Sequence, residues 1–564
     1  VDEFKQLGIT VETMNIPKPN EHPHQFQLNT LLALQGSIGG LAFLMGAVLV
    51  SQLMSAILTQ QVRQIGVLKA IGASRWQTLK IYLAMVLIFG VMSSAIAIPL
   101  AVMTGYAFAE FVANTINFEV LTTTLPLAVY VYLIAAGLML PILMSLPALL
   151  KGVNVSVQAA LSDYGIRPDQ SDATVTARLP LSNSLILAVR NTLRRRGRLA
   201  VTVATMALGV AIFSTGFNVR QALVVFLAEN RNSMKYDVQV VFKDQIPLEQ
   251  ALAPFTAVGN ISRVEAWNGG RGRLQTGIIS TTNGIGVVAL PYDTDLALWD
   301  VIEGRWLVAS GETEIVMNQI AAETFGNPVV GEHYTIDIKG KLVNARLVGI
   351  VKEFEVAKIY IDKGRYDALV NPEHLVNSLM FVGQDKDYKQ IIALKKNIEN
   401  AIAPTNLNIL TILSQAERAE IIFNHLNIIL TIIVFLSLLV LVVGALGMAS
   451  ATGINIMERT REIGVLRAIG ATPKMIYSLF VAEGMVVSVV SILMGLLLAW
   501  PLSIVASAFF GDLILGDGVP LDFAFSNLGF GITLIVTLVF GWLASRVPAG
   551  EAIKVSTWEA LSYE

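Results

Sequence analysis

Nine residues of this chain occur twice at an offset of 398: Ile65-Gly66-Val67-Leu68-Lys69-Ala70-Ile71-Gly72-Ala73 and Ile463-Gly464-Val465-Leu466-Arg467-Ala468-Ile469-Gly470-Ala471. The only change is Lys69 to Arg467. Each copy stands between two long apolar runs, and the likeness extends well past the nine residues. Both halves read as a span, the glycine-rich loop, a long span, a short connector, a third span and a matching tail. The first tail is Pro147-Ala148 followed by Val155 to Leu161, and the second is Pro548-Ala549 followed by Val555 to Leu561. Such a chain must fold as two tandem copies of one unit, parallel repeats about an axis along a membrane normal.

The apolar runs themselves require a membrane. A span needs about 20 apolar residues, and seven stretches qualify, near 32–58, 80–110, 125–150, 198–222, 426–452, 475–508 and 527–547. The chain is 54% hydrophobic and 15% charged with a mean hydropathy of +0.62, where soluble domains carry about 25% charged residues. Its net charge of −2 disfavours nucleic acid as a partner. The absence of cysteine excludes structural disulfides, iron–sulfur clusters and thiolate zinc sites from this chain. Five scattered histidines offer only His22 and His24, flanking Pro23, as a metal pair, and that spacing fits a surface loop better.

Lys and Arg near span ends set direction. They gather at Arg63, Lys69, Arg75 and Lys80, at Arg190 with Arg194, Arg195, Arg196 and Arg198, and at Arg459, Arg461, Arg467 and Lys474. All three sites alternate correctly if they are cytoplasmic. The connectors 111–124 and 509–525 hold no Lys or Arg and then lie outside, as does the polar region 223–425. Residue 1 is then outside and residue 564 inside. This topology predicts an eighth span upstream, with 1–28 the end of a truncated first extracytoplasmic domain and Ile9–Met14 its last strand. The expected division continues as a first permease unit of three spans (29–162), a cytoplasmic linker and interfacial helix (163–197), a span opening the second unit (198–222), an extracytoplasmic domain (223–425) and a second unit of three spans (426–564). Asp163–Ala177 is polar without helical period and reads as linker. Leu185–Arg198 mixes apolar and basic residues, as an interfacial helix does on an anionic leaflet.

In each repeat Gly66 and Ala70, or Gly464 and Ala468, are four apart and place small side chains on one helix face. Val67, Ala70 and Ile71, like Val465, Ala468 and Ile469, form an apolar stripe at i, i+3 and i+4. Gly72 and Gly470 suit a left-handed helix end. Ser74 and Thr472 suit the N-cap of the next helix, with Pro473 at its first position. The spacing predicts helix, tight turn, helix. The stripe either packs on neighbouring spans or docks into a partner, and the residues alone leave both open.

These segments resemble the signature of MacB/FtsX-type ABC transporter permeases, in Gln64–Ser74 and in Arg461–Thr472. Ala188-Val189-Arg190-Asn191 with Arg194 and Arg198 resembles the family's helix before the first span of a unit. Gly304-Arg305-Trp306, Glu314-Ile315-Val316, Val330-Gly331-Glu332 and Val348-Gly349-Ile350-Val351 resemble, in order and spacing, its periplasmic core domain. The resemblance implies that Arg63, Gly66, Val67, Lys69, Ala70, Gly72 and Ala73, and Arg461, Glu462, Gly464, Val465, Arg467, Ala468, Gly470 and Ala471, couple to ATPase subunits. Two departures stand out: Gln64 where the family often has Glu, and Met85 where the second copy has Glu483. Glu483 lies ten residues into a span, and an intramembrane carboxylate is a functional candidate. It has either a structural and coupling role or a substrate contact.

The region 223–425 reads as an α+β domain, with strands over Val238–Phe242, Gly286–Leu290, Tyr334–Ile338, Leu342–Val351 and Leu379–Gly383, and helices over Val316–Phe325 and Tyr388–Ala403. Residues 229–420 hold 19 basic and 24 acidic residues with no triad, metal cluster or carboxylate pair. No GxxxxGK[ST] occurs, so this chain has no P-loop to cradle phosphates. The expected fold is a polytopic α-helical membrane protein, with seven spans here and eight in full, bearing an α+β extracytoplasmic domain. The resemblance implies a multi-pass permease of the cytoplasmic membrane with its C-terminus inside and no enzyme activity of its own. Two cytosolic ABC ATPase subunits would bind ATP and Mg and drive extracytoplasmic motion, a mechanotransmission that exports or extracts a lipoprotein, peptide, drug or lipid. Membrane lipids and an extracytoplasmic substrate or adaptor complete the expected partners. The alternative is an FtsX-like regulator that gates an external hydrolase or sensor without transport. A secondary transporter would want ionisable groups converging at midmembrane, and Glu483 alone does not supply them.

Overall fold

The computed structural model describes residues 25–116, 119, 120, 122, 124–158, 183–194, 196–276, 279, 280, 285–353, 356–515 and 520–554. The strand expected over Ile9–Met14, His22 and His24, the linker Asp163–Ala177 and the second tail from Val555 lie outside them. The chain divides into two compact units, one of Val1–Ala33, Thr215–Val434 and Pro501–Gly529, the other of Leu34–Ser214, Phe435–Trp500 and Phe530–Glu564.

The helices are α1 Gln25–Gln60, α2 Val62–Ala70, α3 Arg75–Ile116, α4 Leu127–Val153, α5 Asn183–Arg194 and α6 Arg196–Ser233, then, beyond a sheet domain, α11 Gln415–Glu458, α12 Thr460–Ala468, α13 Pro473–Leu515 and α14 Asn527–Ala552. Among the described residues seven helices are long and apolar enough to cross a membrane: Gln35–Gln60, Arg75–Asn114, Leu127–Val153, Leu199–Ser233, Gln415–Glu458, Pro473–Leu513 and Asn527–Ala552. They correspond one to one with the seven apolar runs. Several run further than hydropathy alone indicates. Helix α11 starts at 415 rather than near 426 because Ser414 and Glu417 form a capping box. The Ser414 hydroxyl accepts from the Glu417 amide at 3.2 Å, and the Glu417 carboxylate accepts from the Ser414 amide at 3.3 Å and hydroxyl at 2.9 Å.

Small residues set the close helix contacts of the second unit. On α13 and α14 a Cβ added at Gly484 would collide with Ser545, and one at Gly541 would collide with Ser488. These reciprocal pairs, each four residues apart, let the two backbones approach. A Cβ at Gly209 on α6 would lie 3.1 Å from the Leu441 Cα of α11, so this crossing is equally tight. Met45 and Leu49 of α1 reach Gly444 and Gly447 of α11 at 3.4 and 3.8 Å from the built Cβ. The two halves therefore meet along their equivalent first helices, α1 and α11, as parallel repeats do.

The first unit contains an eleven-stranded mixed sheet. Its strands are β1 Val238–Ile246, β2 Ile261–Thr276, β3 Ile279–Ser280, β4 Ile285–Leu290, β5 Asp300–Gly304, β6 Glu314–Asn318, β7 His333–Ile338, β8 Lys341–Lys352, β9 Lys358–Asp362, β10 Val376–Gly383 and β11 Ile409–Ser414. The order is β11-β1-β10-β2-β4-β9-β6-β8-β5, with β3 on β2 and β7 on β2 and β8. Strand β2 joins two cores. Its first part pairs β10, and its second pairs β4 and β7. At the changeover a Cβ on Gly269 would lie 2.6 Å from the Val287 carbonyl oxygen, so the close approach requires glycine. Short helices α7 Leu248–Leu252, α8 Gln319–Thr324 and α9 Lys363–Val370 and the longer α10 Tyr388–Ile402 cover the sheet. Helix α10 buries Ile391, Leu394, Ile398 and Ile402, an i, i+3, i+7, i+11 stripe, against β1 and β10.

The helix expected over Val316–Phe325 begins as strand. Residues 314–318 form β6, wholly buried between β8 and β9. The helix begins only after Asn318, whose side chain caps it by accepting from the Ala321 amide at 2.9 Å. A run as short as Ile315-Val316-Met317 carries no readable period. The four motif fragments noted in the sequence converge here. Arg305 grips Glu314 through two bonds of 2.9 and 2.6 Å, and its amide donates to the Val348 carbonyl at 2.9 Å. The guanidinium holds the Glu314 carboxyl below its usual range against the opposing effect of burial.

Candidate functional site

Helices α2 and α12 are the structural form of the nine-residue repeat, and they match closely. Each spans nine residues and ends the same way. The Gly72 amide bonds the Lys69 carbonyl at 3.0 Å and the Ala73 amide bonds the Leu68 carbonyl at 3.0 Å; the Gly470 and Ala471 amides bond Arg467 and Leu466 at 3.0 and 2.9 Å. This is a Schellman motif. It requires the left-handed backbone that Gly72 and Gly470 adopt, at φ +100° and +101°. An added Cβ at either glycine meets nothing within 4 Å, so only backbone strain opposes a side chain. Gly470→Ala is therefore expected to lower thermal stability by about 1 kcal/mol without altering helix packing, which differential scanning calorimetry in detergent measures.

The following helices start as the spacing indicates. The Ser74 hydroxyl accepts from the Gln77 amide at 3.3 Å, and the Gln77 side chain accepts from the Ser74 amide at 2.8 Å. Thr472 accepts from the Met475 amide at 3.3 Å, with Pro473 opening the helix. The ends of α1 and α11 meet where Gln60 donates to the Met457 sulfur at 3.6 Å, so both short helices belong to the same end of the unit.

One face of each short helix is packed and the other is bare. Ile65 and Gly66, like Ile463 and Gly464, are buried. Val67 and Ile71 are 48% and 77% exposed, and Val465 and Ile469 are 48% and 77% exposed. The identical values show that the repeat reproduces a surface as well as a fold. Ala70 and Ala468 share the bare face, while Gly66 and Gly464 face inward. The expected small-residue face of Gly66 with Ala70 is thus split, with position 66 buried and position 70 exposed. The apolar stripe does not pack on the neighbouring spans. Arg63 and Arg461, flanking it, are exposed.

Lys69 anchors its helix from the side. Its ammonium donates to the Val153 and Val155 carbonyls at 2.5 and 2.6 Å, at the last turn of α4, where a cation also complements the helix dipole. Partial burial, and then repulsion from Arg75, hold its pKa below the ordinary lysine value.

The second copy adds an ionic cluster. Glu483, on α13, is 5% exposed. Its two oxygens accept from Arg459 Nη1 at 2.9 and 3.0 Å, and Oε1 accepts from Asn191 Nδ2 at 2.9 Å. Arg459 also donates to Glu462 through Nε at 2.6 Å and lies over the Phe480 ring at 5.2 Å. Burial opposes the guanidinium charge, and the Glu483 and Glu462 carboxylates outweigh it, keeping Arg459 above its ordinary value. Glu483 is thus an ion-paired, hydrogen-bonded carboxylate tied to the start of α12. Arg459 is the partner that sequence reasoning missed. Its position four residues before the repeat was the available signal, but it read only as a loop charge. At the offset of 398, the positions of Arg459, Glu462 and Glu483 in the first half hold Gln61, Gln64 and Met85.

Comparison with known families bears on the whole arrangement. The model of the FtsX-like permease C-terminal domain matches twice, over residues 36–157 and 434–557, and that of the MacB-like periplasmic core domain matches residues 199–400. The chain belongs to the MacB/FtsX-type ABC transporter permeases. Each FtsX-like match contains one of the two short helices, and the MacB-like core domain contains nearly all of the mixed sheet. This permease is 26% identical over 278 residues to an uncharacterized ABC transporter permease of Methanocaldococcus jannaschii, covering 47% of this chain and 66% of that one. It is 36% identical over 124 residues to the macrolide export ATP-binding/permease protein MacB of Bdellovibrio bacteriovorus, covering 22% and 18%. It is 24% identical over 347 residues to the pyoverdine export ATP-binding/permease protein PvdT of Pseudomonas syringae pv. tomato, covering 57% and 49%. The chain thus spans less than two thirds of the length of each of these relatives.

Proposed function

We propose that this permease is the membrane subunit of an ABC exporter or extractor, and that α2 and α12 are its two docking helices for cytosolic ATPase subunits. The observation that carries this reading is the duplicated apolar stripe, bare to the same degree in both copies. Val, Ala and Ile exposed together on one face of a polar-flanked short helix, and repeated in both copies, form a surface suited to being covered by a partner. The basic residues beside both helices support a cytoplasmic position for them under the positive-inside rule, and with it a sheet domain and a C-terminus on opposite sides of the membrane. Without a P-loop in this chain, ATP and Mg would be held by the partner.

ATP-driven closure of two ATPase subunits would move α2 and α12 together. The rigid turn at Gly72 and Gly470 would pass that motion to α3 and α13. Helices α6 and α11, which lead into β1 and out of β11, would carry it to the core domain. Two relatives are named for export, of macrolides and of pyoverdine, which favours export of a cargo over a purely regulatory role. Purification of the full-length protein from its native membranes, with identification of what travels with it, tests the proposal. An ABC ATPase together with a bound small molecule, lipid or lipoprotein is the expected result. An ATPase with an external hydrolase and no cargo would make it a regulator, and no ATPase at all would refute it.

A further inference from the structure

One carboxylate in the second half joins three separate pieces of chain. Glu483 belongs to α13, Arg459 precedes α12, and Asn191 belongs to α5, which lies 292 residues away in sequence. Beside this junction lies a cleft of about 60 Å³ lined by Asn191, Thr192, Thr202, Thr452, Asn455 and Glu483, among others. The first half carries neutral residues at the positions of all three charged groups, Gln61, Gln64 and Met85, and its short helix is instead held by Lys69 on the end of α4.

We infer that Asn191 is a positioning residue that makes α5 follow α12. The ATPase stroke would then reach α5, and the helix α6 that follows it, directly in the second half. This rests on α12 being a docking helix. The two links of the chain differ in strength. Arg459 and Glu483 cannot part without leaving a buried charge uncompensated, so the start of α12 moves with α13. The Asn191 bond is a single hydrogen bond from a neutral donor. Removing it leaves the Arg459–Glu483 ion pair, and with it the fold, intact. The arrangement also makes the two docking helices unequal. One is fixed to a span end, and the other is linked to a surface helix that leads into the most enclosed span.

The test uses the full-length permease with its co-purifying ATPase in liposomes. Asn191→Ala is expected to retain ATPase binding and the basal ATPase rate and to lose permease-dependent stimulation by about fivefold or more, the low end of measured allosteric couplings. Asn191→Gln is expected to recover most of the stimulation, because the adjoining cleft accommodates one methylene. Thr192→Ala, which leaves the carboxylate untouched, is expected to behave as wild type. The chain lacks cysteine, so spin labels at Arg190→Cys and Arg461→Cys, both exposed, report α5 against α12. Their distance should hold through the ATP cycle in the wild type and broaden in Asn191→Ala. Full stimulation by Asn191→Ala, or a label distance indifferent to it, overturns the inference. If α12 does not dock the ATPase, charged residues at Val465 and Ile469 will leave the ATPase bound, and the parent reading fails as well. Release of the ATPase by those changes alongside normal Asn191→Ala refutes this inference alone.

Discussion

Replacing Val465 and Ile469 together with lysine is expected to abolish co-purification of the ATPase while the permease inserts and folds normally. The two side chains are about half and three quarters exposed, so their loss leaves no cavity. Surface substitutions of this kind change stability by about 0.5 kcal/mol or less. Lysine near the last turn of α12 is also favoured by the helix dipole. At the docked interface the balance is different. Burying a Val or Ile contributes about 1.5–3 kcal/mol, and charged groups placed there must be desolvated without a partner. Two such changes weaken binding by about a hundredfold or more, since 1.4 kcal/mol is a factor of ten. The equivalent pair on α2, Val67 and Ile71, should give the same result on its own site. Gly464 is a poor probe by comparison. It is buried, and a large residue there would disturb the packing of α12 before it touched any partner.

The second large effect lies inside the unit. Glu483→Met alone should destabilise the permease by about 3 kcal/mol, because it leaves the buried Arg459 guanidinium only the half-exposed Glu462 carboxylate as counter-charge. Transplanting the first half's residues as a set, Arg459→Gln with Glu462→Gln and Glu483→Met, should cost far less, within about 1.5 kcal/mol of wild type. Exchanging a buried ion pair for apolar and neutral groups is often close to neutral. The structure supplies a native precedent. Met85 packs in the cluster of Tyr82, Leu79 and Ile65 around the first short helix, and Phe480, Tyr477 and Ile463 stand at the corresponding positions of the second. Thermal unfolding in detergent separates the two variants. A triple variant no more stable than Glu483→Met would show that the cluster cannot be exchanged as a unit. If Asn191 transmits motion as inferred, the triple variant will be stable and poorly stimulated at once.

The sequence made much of this legible, for identifiable reasons. Apolar runs of about 20 residues admit few structures other than spans, so the seven helices were readable. The turn after each short helix was readable because glycine at one position and Ser74 or Thr472 two further on is a local code, and the Schellman bonds at Gly72 and Gly470 follow from it. The faces of the short helices were not. Apolar residues at 65, 67, 68, 70 and 71 offer more than one stripe, and only packing against α1, α3 and α4 decides that Ile65 turns in and the stripe of Val67, Ala70 and Ile71 turns out. Strand β6 and the start of α11 were missed for opposite reasons. The first is too short to show a period, and the second begins with a polar turn that hydropathy ignores and a capping box specifies. The Asn191–Glu483–Arg459 junction depends on contacts across 24 and 292 residues, which no local pattern encodes. The repeat did point to it, since Gln64 and Met85 mark where the halves differ.

The central claim is that the duplicated helix is a duplicated docking site. Native mass spectrometry of the full-length complex, released from its own membranes and held in a non-hydrolysing state, tests it most directly. The account predicts two ATPase subunits per permease chain, falling to one when Val67 and Ile71 or Val465 and Ile469 are changed singly as pairs, and to none when both pairs are changed. Two subunits still bound to the permease altered at both helices would contradict it.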